Sequence, residues 1–206
     1  MTGSFDPLIE FDFKGAKNFE DLKSKIGDRG LNNGPRTGEN PRTSRSSEAY
    51  CMRRWLLRMG KERKLEYPVS LFHLDAPDFI VVENGCPYGV EVTEATVPED
   101  GRERARSEKS DAAVEYLGTH GGRGKDGFMG DEPLKMIFQD IQDAIIRKSG
   151  KYSAKSTIDL LLYPNSNPTL VLSHKRELPE LLGMPFDRRE FRRIFLYWDS
   201  ETINEI

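Results

Sequence analysis

Two hydrophobic rhythms run along this chain, one of strands and one of helices. Phe79-Ile80-Val81-Val82 and Val90-Glu91-Val92-Thr93 are rich in β-branched residues, and Asn84-Gly85 between them is the strongest short signal for a hairpin turn. A turn centred on that dipeptide pairs Asp78 with Glu91. Directly opposed residues of an antiparallel pair have Cβ atoms roughly 4.5–5.5 Å apart and share a face, so two carboxylates are set against each other. A register slip of one residue, which Pro87 could provoke, would send Glu91 to the other face.

The helical rhythm is clearest from Pro133 to about Lys148, with Gly150 as the stop. Leu134, Ile137, Phe138, Ile141, Ala144 and Ile145 form its apolar stripe, and Lys148 falls inside that stripe. A second helix is expected from Ser47, capped by Ser46 or Ser47, with Cys51, Trp55, Leu56 and Met59 along one side. Strands are expected at Leu8–Phe13, Val69–Leu74, Thr157–Tyr163, Leu170–Ser173 and Arg193–Trp198, and shorter helices near Phe19–Ile26 and Leu178–Leu182.

Two stretches carry almost no apolar pattern. Asp28 to Ser47 is dense in Gly, Pro, Asn, Arg and Ser and reads as a flexible arm, and Glu99 to Glu132 reads as a polar insertion. The chain therefore divides into an N-terminal extension over 1–46 and one α/β domain over 47–206 with an insertion at about 99–132. Charged residues make up 32% of the 206 and hydrophobic ones only 36%, which agrees with one core plus polar appendages.

Charge as a whole is nearly balanced, 34 acidic residues against 31 basic, so local arrangement decides any affinity for phosphate. Basic residues concentrate on the helix after Ser47, where Arg53, Arg54 and Arg58 are candidate contacts to a nucleic-acid backbone or members of a solvated face. Arg36, Arg42 and Arg45 extend that concentration into the arm. Cys51 and Cys86 form neither a disulfide framework nor a zinc cluster, and no stretch of 18 apolar residues exists, so a cytoplasmic protein without a membrane contact is expected.

Other motifs fail on inspection. The segment Gly118–Asp126 ends like a phosphate loop at Gly124-Lys125, yet Thr119 replaces its first Gly and Asp126 its Ser or Thr. His73, His120 and His174 lack metal-ligand spacing. Asp159, in an apolar strand, reads as a buried polar contact ahead of a role near the site.

Facing carboxylates repel unless a cation or a proton intervenes, and Mg²⁺ binds through one or two carboxylates, waters and substrate phosphate oxygens. Pro77-Asp78, then Glu91-Val92-Thr93, in the order helix, strand, hairpin strands, helix, strand, resembles the PD-(D/E)XK nuclease superfamily over roughly residues 47–163. The resemblance implies a restriction-endonuclease-like α/β fold with an αβββαβ core, a mixed sheet flanked by helices. It also implies Asp78 and Glu91 as ligands of Mg²⁺ or Mn²⁺, Glu48 as a further acidic member, and metal-dependent hydrolysis of phosphodiester bonds, in DNA ahead of RNA. A homodimer is a possible assembly.

Thr93 stands where the superfamily has a lysine, and its neutral hydroxyl cannot supply that charge. Either the lysine has moved, with Lys148 the first candidate and Lys151 the second, or the fold survives as an inactive module binding nucleic acid or a protein partner. Gln142 is a weaker candidate for a polar contact near substrate. A glycosidase would need its two carboxyl groups roughly 5–9.5 Å apart, which suits the expected pair less well than a shared ion.

Overall fold

The computed structural model describes residues 12–27, 44–95, 132–153, 155–164, 177–198 and 202–206. Among them the strands are β1 (Phe13–Ala16), β2 (Val69–His73), β3 (Phe79–Glu83), β4 (Cys86–Ala95), β5 (Ile158–Pro164), β6 (Arg193–Tyr197) and β7 (Ile203–Glu205). They form a single sheet in sequence order, parallel between β4, β5 and β6 and antiparallel elsewhere. The helices are α1 (Phe19–Ile26), α2 (Ser44–Lys61), α3 (Glu132–Ser149) and α4 (Glu177–Leu182).

Each sheet face is closed by helices, which makes three layers. Leu22 and Ile26 of α1 and Met52, Trp55, Leu56 and Met59 of α2 pack on one face, against Val81, Val90, Val92, Leu161 and Phe195. Ile137, Ile141, Ala144 and Ile145 of α3 and Leu178 and Leu181 of α4 pack on the other, against Leu160, Leu162, Ile194 and Leu196. Covered on both sides, the central strand β5 is buried at six of its seven positions, as its unbroken apolar run requires.

The hairpin keeps the register set by its turn. Asn84 (φ 48°) and Gly85 (φ 81°) both take the left-handed backbone that a type I′ turn demands. The ladder then runs from Glu83–Cys86 to Phe79–Val90 without a slip, and Pro87 sits opposite Val82 inside it. One step further along the same register lies Asp78 beside Glu91.

Four expectations change. The first strand covers Phe13–Ala16, later than Leu8–Phe13, of which residues 8–11 lie outside the described residues; Gly15 (φ 58°) produces an irregular register with β2 there. Helix α2 starts at Ser44, so Ser46 and Ser47 lie within the helix and do not cap it. A 3₁₀ turn at Lys155–Thr157 precedes β5, which then runs on to Pro164. Strand β7 was not foreseen, and it adds an antiparallel edge to β6. The arm over 28–43, nearly all of the 99–132 insertion with Gly118–Asp126 and His120, and the Leu170–Ser173 segment with His174 lie outside the described residues.

Gly89 of β4 sits where no side chain fits. A Cβ built there would lie 2.7 Å from Pro77 Cγ and 3.3 Å from Ile158 Cγ1. Gly89→Ala is therefore expected to cost about 1–3 kcal/mol of folding stability, read from the midpoint of denaturant unfolding.

Candidate functional site

The site forms where β4 outruns β3. Beyond Val90 the first strand of the hairpin ends, and the Val92 N–H, without a β3 carbonyl to meet, donates to Asp78 Oδ2 at 2.8 Å. Asp78 is thereby fixed beside Glu91, and both are buried, Glu91 completely. Strand alternation sends Glu91 and Thr93 to the α3 face, in step with their β5 neighbours Leu160 and Leu162.

Helix α3 delivers a cation to that face. Ile141, Ala144 and Ile145 pack against the sheet, and Lys148 continues their stripe into the last turn. Its ammonium donates to Glu91 Oε1. The chain then turns at Gly150, and Lys151 Nζ reaches the same oxygen at 3.3 Å while the Tyr152 hydroxyl donates to Glu91 Oε2. Three donors from residues 148–152 thus hold one carboxylate.

These contacts split the two acids electrostatically. Burial pushes the Glu91 carboxyl up, but the hydrogen bonds from Lys148 and Tyr152 and the charges of Lys148 and Lys151 outweigh it and hold the group below its ordinary range. Asp78 goes the other way, to about 7. Burial is the first cause, followed by the negative charges of Glu91 and of Glu48 on α2, only partly offset by the Val92 N–H and Lys148. Lys151 is held above its ordinary value, with Glu91 outweighing its desolvation. The Tyr152 hydroxyl is raised too, by burial first and then by its bond to Glu91.

The negative charge of Glu48, half-buried on α2, therefore helps to raise Asp78. Glu48→Gln is expected to lower the Asp78 midpoint from about 7, measured by NMR titration of the carboxyl carbon.

Other candidates fall elsewhere. Arg53 is buried, 5% exposed, and desolvation lowers its pKa, so it does not present its guanidinium on the surface as a backbone contact would. Arg54 lies over the Tyr50 ring, and Arg58 pairs with Glu62 one turn on. The side chain of Arg45 lies outside the described residues, as do Arg36 and Arg42. Gln142 exchanges hydrogen bonds with the backbone of Asp187, at 3.2 and 2.9 Å, and so fastens the segment after α4 and does not reach the carboxylates. Asp159 is buried between Arg192 and Arg193, a structural ion cluster on the opposite face from Glu91. His73 stacks on Phe79.

Tyr152 escaped the sequence reading. It follows the helix stop in a polar stretch without periodicity, and the one available signal is its place four residues after Lys148.

Among the described residues no group of three or more His, Cys, Asp or Glu side chains is disposed to hold a metal ion. The acidic donors do suit a hard divalent cation in another respect. Asp78 keeps its charge poorly because burial disfavours the anion and the negative charges of Glu91 and Glu48 add to that, and Mg²⁺ takes one or two carboxylates and completes its shell with water and phosphate oxygens. No helix among the described residues is long and apolar enough to cross a membrane.

No family model, curated protein or solved structure matches the chain.

Proposed function

We propose that this protein is a metal-dependent nuclease of the PD-(D/E)XK type that hydrolyses phosphodiester bonds in DNA. The observation that carries the reading is Lys148 on Glu91: a lysine from the helix after the hairpin reaches the carboxylate two positions before Thr93, where the superfamily's lysine is missing. The succession α2-β2-β3-β4-α3-β5 supports the αβββαβ core, and the mixed sheet between helices is consistent with it.

On this reading Asp78 and Glu91 would hold Mg²⁺ or Mn²⁺, with the charge of Glu48 adding to theirs. The bound ion would polarise the scissile phosphate and lower the pKa of an attacking water. Lys148 and Lys151 place positive charge beside the phosphate, where negative charge grows in the transition state. Tyr152 orients the second Glu91 oxygen. Exposed cations elsewhere would hold the nucleic-acid backbone with an affinity that falls as salt rises.

A second reading, an inactive module that only binds, is favoured by one observation: both Glu91 oxygens are already engaged by this chain's own donors. Incubation with plasmid, linear, single-stranded and RNA substrates in Mg²⁺ or Mn²⁺ separates the two. Metal-dependent cleavage that disappears in Glu91→Gln is expected. Binding without cleavage in either metal would leave the inactive module.

A further inference from the structure

We propose that a cleft adjoining Glu91 is a subsite for one unpaired nucleobase, so that the strand cut is single-stranded or frayed at the scissile position. This rests on the nuclease reading. The cleft has a volume of about 250 Å³, room for one ring system rather than for an extended ligand. Its floor is aliphatic, made by Pro77, Ile80 and Ile158, with Pro77 and Ile158 closing over Gly89. Lys151, Tyr152 and Ser153 stand along its rim.

Position ties the cleft to the carboxylates. Pro77 immediately precedes Asp78, Gly89 lies two residues before Glu91 on the same face, and Lys151 and Tyr152 both bond Glu91. A strand whose phosphate lies at Asp78 and Glu91 therefore has its neighbouring nucleoside at the mouth of the cleft. The lining selects the occupant. A phosphate needs several cations or N–H donors, whereas this lining offers one ammonium, that of Lys151 on the rim, above an aliphatic floor. A flat base can lay its face on the aliphatic floor and turn its polar edge to the Ser153 hydroxyl and other rim groups. Bases in a duplex are held in the stack, and extruding one costs least where the strand is already unpaired.

The test compares a short oligothymidylate with an abasic strand of the same length and sugar–phosphate backbone. Binding is measured by fluorescence anisotropy with the full chain in Ca²⁺. The wild-type protein is expected to bind the thymidylate about tenfold more tightly, in line with burying one face of a base on aliphatic surface. In Ile80→Asn, which replaces the aliphatic floor with a polar amide, the ratio of the two affinities is expected to fall towards one. Equal wild-type affinities would overturn the base subsite and leave the nuclease reading standing. A ratio that survives in Ile80→Asn would place the base elsewhere and also overturn it. No binding to either strand would overturn both.

Discussion

Asp78→Asn is expected to remove metal-dependent cleavage, a loss on the order of a thousandfold or more, because several kcal/mol of charge stabilisation leave with the ion. The same substitution is expected to stabilise the metal-free protein at pH 8. An aspartate carboxyl ionises near 3.8 in an unfolded chain, but that of Asp78 is pushed up to about 7 when folded, so a rise in pH through that window favours the unfolded state. Asn keeps an oxygen for the Val92 N–H and carries no charge beside Glu91 and Glu48. Its advantage is roughly 2–4 kcal/mol above pH 7 and fades towards pH 4, read from chemical denaturation at several pH values. Lost activity with gained stability is the signature of a residue kept for function at a cost to the fold.

Lys148→Met carries the second large effect. Cleavage is expected to fall by about 10²–10³-fold, the usual range for removing one group that stabilises developing charge. Stability falls as well, since Glu91 is fully buried. Breaking a buried pair typically costs about 3–5 kcal/mol. Here Lys151 and Tyr152 still hold the carboxylate, so a loss of about 1–3 kcal/mol is expected. Lys148→Arg separates the two roles: its guanidinium keeps the ion pair and much of the stability, while its different shape and fixed charge leave cleavage impaired. Activity restored fully by Arg would reduce Lys148 to a structural partner of Glu91.

Much of this geometry was legible in the sequence because short-range rules govern it. Asn84-Gly85 set the turn, the turn set the register, and the regular ladder brought Asp78 beside Glu91 despite Pro87. Helical periodicity placed Lys148 on the face of α3 that meets the sheet, where Glu91 already pointed. Arg53 was harder to place because α2 is covered twice, by the sheet on one side and by α1 on another, which widens its buried arc beyond a single stripe. Tyr152 and the hold of Gln142 on Asp187 depend on segments that meet only in three dimensions. Strand β7 is three residues long with one buried side chain, too short for alternation to register.

Glu91 poses the sharpest question about the site. Its carboxylate is stabilised by three donors and would have to share its oxygens with an incoming ion, while Asp78 is destabilised and would gain from one. Direct titration of Mn²⁺ into the wild-type protein, Asp78→Asn and Glu91→Gln, followed by electron paramagnetic resonance of the free ion, addresses that balance. One saturable Mn²⁺ site per chain, displaced by Mg²⁺ and lost in both variants, is the expected result. Wild-type protein that leaves all Mn²⁺ free at millimolar concentration, or variants that bind it as well as wild type, would contradict the assignment of Asp78 and Glu91 as a metal centre.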